Sequence, residues 1–568
     1  MVAVSERAAI HDDSSRAYSK KSLWLIGLCF VLSGATGLIY EVLWARMLGL
    51  VFGATTFAVS AVLAAFMGGL ALGSAWAGKL AQRIKRPLRA YGLVETVIAL
   101  YAVAVPVLFR LVDSLYAFIW EQFHPGFYAF SLWRFLLSSL VLLVPTTLMG
   151  ATLPVLSAAL LRSPRRQPTA VTRLYTCNLV GAIFGVVLAG FYLLPALGVR
   201  LTIFTAAAIN LLVGLAAIVI DKRDERRPAR DEDAGQAEAE EGEAEFEGDV
   251  SEPSPSDPQS AGPIPQSQRF WLLCAAVSGF VTISTQVAWT RVLTMIIGSS
   301  TYAFSIVVAL FLLGLAVGAY LVSGKKQRTT DLRRSIMIVE LATALTLVFS
   351  IWLANGTPTF LTGLGLSLQI NSWLGLISLQ VLAAAILIIL PAILMGMVMP
   401  LVLVWASGGA GGDASVRLVG RSYAVNTLGA IAGAFSTGFI LIPKLSTRFT
   451  ILFAAGVCIV LAGLAYQPPR GTRDPELRRS LAAGVTACLV LLLLAAPLMR
   501  LDQLSIGAYD SLVRVLAKSR GTAAEAAAEK PPGPDLHRLL WYKEGPTATV
   551  SVRDDWGIRS MAVNGRTN

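Results

Sequence analysis

Along nearly the whole chain, long apolar runs alternate with short polar or charged stretches. A helix that crosses a bilayer needs about 20 mostly apolar residues. Thirteen runs reach that length, at 22–45, 53–78, 89–112, 131–161, 169–194, 198–220, 269–290, 300–323, 334–354, 373–405, 417–442, 446–466 and 480–499. The pattern predicts an all-α polytopic membrane protein.

Three stretches depart from it. Residues 1–21 are polar, with Arg16, Lys20 and Lys21 at the edge of the first run and no small-residue cleavage site, so the first helix reads as uncleaved. Residues 221–268 open basic, run acidic from Asp231 to Glu252 and end in Pro and Ser, the composition of a disordered tether. Beyond the run at 480–499, residues 501–538 are an amphipathic segment and linker. Residues 539–568 then alternate like short strands, with the hairpin signal Asn564-Gly565.

Composition agrees with a membrane class: 55% of residues are hydrophobic, 14% are charged, and the mean hydropathy is +0.65. Soluble domains carry about 25% charged residues. The net charge of +12 invites a nucleic-acid reading, but its distribution removes it. Lys79, Arg83, Lys85, Arg86 and Arg89 crowd one loop, Arg162, Arg165, Arg166 and Arg173 another, and Lys325, Lys326, Arg328, Arg333 and Arg334 a third. These are alternate loops, and Lys/Arg-rich loops stay in the cytoplasm. The N-terminus is therefore expected inside, and thirteen crossings put the C-terminal tail outside. Cys29, Cys177, Cys274, Cys458 and Cys488 lie in apolar runs without paired spacing, and His11, His124 and His537 are far apart. No metal site, cofactor site or catalytic constellation is expected from them.

The two hydrophobic blocks repeat each other. Ser33, Gly34, Glu41, Trp44, Arg46, Gly69, Gly73 and Glu95 recur 245 positions later as Ser278, Gly279, Gln286, Trp289, Arg291, Gly314, Gly318 and Glu340. At 246, Pro145, Met149, Gly150 and Pro154 meet Pro391, Met395, Gly396 and Pro400. At 248, Tyr175, Asn178, Gly181 and Gly185 meet Tyr423, Asn426, Gly429 and Gly433. The units are 22–220 and 269–466, with the loop and thirteenth helix of 467–500 outside the repeat. Six helices is an even number, so both units enter from one side and are parallel, the arrangement of the two halves of major-facilitator transporters.

The repeated glycines read as faces of close helix packing or, alternatively, as ligand contacts. Pro145 with Pro154, and Pro391 with Pro400, put two helix-breakers in one crossing. They read as a kink or as a broken helix lining a cavity. Ionisable and polar groups in the membrane are candidate functional residues: Glu41, Arg46, Glu95, Arg134, Asn178, Gln286, Arg291, Glu340 and Asn426. Each has a plainer reading. Glu41 and Arg46 would anchor at the interface with Trp44 and Trp289 as an aromatic belt, and Glu95 and Glu340 would sit at helix N-termini near loop arginines. Arg134 faces Gln380 in the repeat, a charge lost between units.

The run from Tyr542 to Val552, Tyr-Lys-Glu-Gly-Pro-Thr-Ala-Thr-Val-Ser-Val, with Val563-Asn564-Gly565 after it, resembles the N-terminal β-hairpin of spermidine synthase-type aminopropyltransferases. The membrane part, with the motif from Ser33 to Arg46 and Met-Gly-Ala-Thr-Leu-Pro at 149–154, resembles bacterial fused major-facilitator/spermidine synthase proteins. The resemblance implies a multi-pass protein of the bacterial inner membrane, a polyamine-like small molecule as partner beside the lipid bilayer, and an aminopropyltransferase core after the hairpin. The glycine-rich loop and acidic residue of that core have no counterpart here, so no catalytic residue is carried over. The chain is expected to be the membrane module and first hairpin of a longer fusion. Two functions stay open: a transporter-like module for a polyamine-like solute, and a membrane anchor or regulator of the enzyme-like domain.

Overall fold

The computed structural model describes residues 20–52, 56–124, 127–161, 168–225, 266–297, 301–323, 332–368, 370, 372–408, 412–466, 476, 479, 483–487, 490, 537–544, 549–555, 558–563 and 566–567. The N-terminal segment, nearly all of the acidic tether and the linker at 501–536 lie outside these residues.

The first unit is α1 (Lys20–Phe52), α2 (Thr56–Leu80), α3 (Pro87–Phe123), α4 (Phe127–Leu161), α5 (Pro168–Leu188) and α6 (Leu194–Glu225). The second is α7 (Gln266–Ile297), α8 (Thr301–Ser323), α9 (Leu332–Ser367), α10 (Trp373–Gly408), α11 (Gly412–Ser436) and α12 (Thr447–Ala465). Ten stretches among the described residues are long and apolar enough to cross a membrane, and one of them, Arg173–Arg223, holds both α5 and α6. Of the expected thirteenth crossing, residues 483–487 are helical and Gly484 stands against the side chain of Leu341 on α9.

The duplication read from the sequence reappears as duplicated packing. Within the first unit α1 lies on α5, α2 on α4 and α3 on α6; in the second α7 lies on α11, α8 on α10 and α9 on α12. The units join through α2 against α11 and α8 against α5. Glycine makes these approaches possible. A Cβ on Gly73 would meet the Thr147 carbonyl oxygen, and one on Gly318 the Ile393 carbonyl oxygen. Gly181 and Gly429 stand in the same way against the carbonyls of Val31 and Ala276. In lipid no hydrophobic drive separates helix from solvent, so close backbone contact carries the association.

Local irregularities repeat too. α5 ends in a π-helical turn at Ala189–Leu193 and α11 in one at Thr437–Leu441. The chain then turns at Gly198 (φ 69°) in the first unit and at Ser446 (φ 91°) in the second. The two positions are 248 apart, the offset of the neighbouring repeat residues.

The helices that hold the four prolines run on without a break in their helical assignment, where a break was one expectation. Pro145 and Pro154 lie inside α4, and Pro391 and Pro400 inside α10, all buried. Pro145 has no N–H for the Val141 carbonyl, and the Tyr101 hydroxyl of α3 donates to that oxygen at 3.1 Å. Trp44 and Trp289 also differ from their belt assignment: both are fully buried, and Trp44 stacks on Tyr40 with centroids 5.2 Å apart. Their place in the core comes from the tight α1 and α7 packing, which leaves no lipid-facing side at those positions.

The tail is more than a hairpin. β1 (His537–Glu544), β2 (Thr549–Asp555), β3 (Ile558–Val563) and β4 (Arg566–Thr567) form one antiparallel meander in the order β1-β2-β3-β4.

Candidate functional site

Between the two units lies a cavity of about 220 Å³. Its wall is built from paired positions of the repeat: Ser33 and Ser278, Gly34 and Gly279, Glu41 and Gln286, Met149 and Met395, Tyr175 and Tyr423, Asn178 and Asn426. α1 and α7 supply the first three pairs because residues four apart fall on one helix face. On α1 that face is Ser33, Gly37 and Glu41, and all three line the cavity. Glycine at 34 lets α5 approach closely, its missing Cβ standing against the Asn178 carbonyl.

The wall is apolar with a few polar groups, the usual make-up of a small-molecule site. Asn178 and Asn426 offer amides, Thr152 and Thr427 hydroxyls, and Tyr175 and Tyr423 phenols. Glu41 is the one charged residue among the described lining residues, and its repeat partner Gln286 is neutral. The cavity is thus nearly symmetric in shape and asymmetric in charge. At its Lys/Arg-rich end the rings of Tyr175 and Tyr423 meet edge to face, 6.5 Å apart. Beyond them Gly78 and Gly420 bring α2 and α11 into backbone contact, with a Cβ at Gly78 only 3.1 Å from the Gly420 Cα.

Other candidate residues lie off the cavity. Glu95 is fully buried on α3; Ser33 Oγ donates to its Oε1 at 2.5 Å, and Asn210 Nδ2 of α6 donates to its Oε2. It lies eight residues inside α3, and the partners described for it are these side chains rather than loop arginines. Glu340 is buried at the equivalent place on α9 and shares a hydrogen bond with Cys458, which stands where the first unit has Asn210. Arg46 is exposed, and Arg291 is buried but not part of the cavity wall. Gln380 donates to the Ile297 carbonyl at 3.3 Å, and the Arg134 side chain lies outside those described. Pro145, Pro154, Pro391 and Pro400 are not lining residues, although Met149, Thr152, Leu153, Met395, Gly396 and Met399 between them are.

Ser33, Thr152 and Asn210 were not among the residues singled out for chemistry. Ser33 carried a signal, its recurrence as Ser278; Asn210 carried none, because its repeat partner is a cysteine.

Fold and site together define a polytopic helical membrane protein with two like units around a central cavity. The profile of the Major Facilitator Superfamily matches residues 23–384. The chain belongs to that superfamily. Among curated proteins, Polyamine aminopropyltransferase 2 of Streptomyces coelicolor is 31% identical over 215 residues, 36% of this chain and 36% of that protein. The chain thus matches little more than a third of that relative's length. Solved structures of similar arrangement include the proton:xylose symporter XylE bound to 6-bromo-6-deoxy-D-glucose, at 13% identity and TM-score 0.46 over 79% of this chain and 96% of that one. The human organic anion transporter MFSD10 aligns at 14% identity and TM-score 0.40, over 78% of this chain and 99% of that one. The transporter FucP in its outward conformation aligns at 14% and 0.42, over 78% and 98%.

Proposed function

We propose that this chain is a transporter-like module that binds and moves a small cationic solute of polyamine type through the central cavity, with Glu41 as the anionic contact. The observation that carries this reading is a single carboxylate in the lining of an otherwise neutral cavity. A charged side chain in a membrane interior is costly unless it is used or paired, and a cation in the cavity would pair it. The polyamine class draws on the tail's resemblance to aminopropyltransferases and on the printed name of the Streptomyces relative. In this reading the Lys/Arg-rich helix ends face the cytoplasm of a bacterial inner membrane, with the N-terminus inside and the tail beyond a thirteenth crossing outside.

A second reading is favoured by the four-stranded sheet at 537–567: the helices anchor or regulate an aminopropyltransferase-like domain. Binding and uptake of radiolabelled spermidine by the full chain in proteoliposomes separates the two. Specific uptake or binding that Glu41→Gln weakens by about tenfold supports the transporter. Absence of both in wild type and variant sinks it and leaves the anchor.

A further inference from the structure

Ser33 and Glu41 lie two α-turns and a little more apart on the same cavity-facing side of α1. Eight residues at about 1.5 Å each separate them by about 12 Å along the helix. Glu41 presents its carboxylate directly. Ser33 presents something less obvious. A hydroxyl has one proton, and Ser33 gives it to Glu95 Oε1 at 2.5 Å. Only lone pairs of Ser33 are then left for the cavity, and the fully buried Glu95 stands immediately behind them.

No cation is described beside Glu95, so its carboxyl takes the negative form when a positive charge comes near. Asn210 and Ser33 are neutral donors, and so is Tyr91, a further partner. In a medium of low polarity an uncancelled charge is felt at several ångströms. The second unit does not reproduce the arrangement. Gln286 replaces Glu41, and Glu340 turns to the thiol of Cys458, a weak donor. Glu41 in the α1 wall and Glu95 on α3, behind Ser33 of that wall, thus both belong to the first unit.

We propose that Glu95, acting through Ser33, is a second anionic pole that makes the cavity selective for linear solutes with ammonium groups at both ends. Glu95 is here a positioning residue: it orients Ser33 and attracts the far ammonium without touching it. An extended chain advances about 1.2 Å per bond, so about 12 Å corresponds to roughly ten bonds between the two nitrogens. The solute class is a long diamine or linear triamine rather than a short diamine. This rests on the reading of Glu41 as the cation contact.

The test is competition binding on the purified full chain, with labelled spermidine displaced by α,ω-diaminoalkanes of graded length and by n-alkyl monoamines. In the wild type, affinity should rise with chain length and peak near roughly ten bonds, about tenfold above putrescine. Glu95→Gln should flatten that profile, weakening long diamines several-fold more than monoamines, whereas Glu95→Asp, which keeps the charge, should retain the peak. Ser33→Ala, which removes the link without altering a buried carboxylate, should flatten it as well and serves if Glu95→Gln does not fold. Glu340→Gln should leave the profile intact. An unchanged length profile in Glu95→Gln or Ser33→Ala overturns the proposal, as does an equal loss for monoamines and diamines. Failure of the Glu41 reading looks different: Glu41→Gln would then affect no amine at all.

Discussion

Tyr175 and Tyr423, one from each unit and 248 positions apart, meet ring to ring at 6.5 Å with their planes at 77°. Each lines the cavity from the Lys/Arg-rich end of its helix, so their contact joins the two units there. The same residue type comes from both units, and the rings meet with one presenting its edge and the other its face, as the aromatic quadrupole prefers.

Replacing both tyrosines by alanine should open that end. Such a pair contributes about 0.5–1.5 kcal/mol beyond its buried area, enough to shift the closed-to-open ratio by roughly two- to tenfold. A cysteine placed at Thr152 in a background lacking the five native cysteines reports on this. Impermeant maleimide added from the Lys/Arg-rich side should label it faster in the double variant. Equal labelling would mean that the rings do not form the closure.

The backbone approaches at Gly73 and Gly318 should tolerate no side chain. Valine at either position must displace the Thr147 or Ile393 carbonyl, and overpacking of this kind costs about 1–3 kcal/mol. A lowered Tm in detergent is expected for each. Gly456 and Gly463, in α12, have nothing within 4 Å of a built Cβ. Alanine there should be neutral or raise Tm, since glycine inside a helix costs about 0.5–1 kcal/mol relative to alanine.

Gly198 and Ser446 should respond in opposite directions. Both carry positive φ, at 69° and 91°, with extended ψ of −179° and 161°. That region belongs almost wholly to glycine, and another residue held there costs about 1–3 kcal/mol. Ser446→Gly should raise Tm, and Gly198→Ser should lower it. A drop in Ser446→Gly would show that the serine does something that its backbone strain does not reveal.

Tyr101 and Pro145 form a pair that a double-mutant cycle can isolate. Tyr101→Phe removes the donor to the Val141 carbonyl and should cost about 1 kcal/mol. Pro145→Ala restores the helical N–H to that same oxygen, so Tyr101→Phe should cost much less in its background. Equal costs in both backgrounds would exclude the compensation.

The duplication was legible because helix interfaces in lipid demand small residues at fixed places, and a repeat preserves them in order. Gly73 with Gly318 and Gly181 with Gly429 mark the framework in the sequence itself. Of the polar residues that the sequence marks as candidates, Glu41, Asn178, Gln286 and Asn426 line the cavity. What stayed hidden depended on helix rotation. Glu95 and Glu340 lie eight residues into their helices, and only the packed structure turns them toward Ser33, Asn210 and Cys458. Trp44 and Trp289 resemble belt residues in one dimension and are core residues in three. The prolines predicted disruption, but a tyrosine forty-four positions away from Pro145 takes up the carbonyl that it leaves bare.

The π-helical turns at 189–193 and 437–441 give α5 and α11 a surplus residue each. Such a surplus can migrate along a helix without changing its number of backbone hydrogen bonds. Were it to pass Asn178 or Asn426, that side chain would rotate by about 100° around the helix axis, out of the cavity wall. Both units hold this reserve of rotation at the same height, on the two helices that carry the paired tyrosines. The cavity wall could therefore change its polar groups by a screw-like motion within each unit, with no separation of the units themselves.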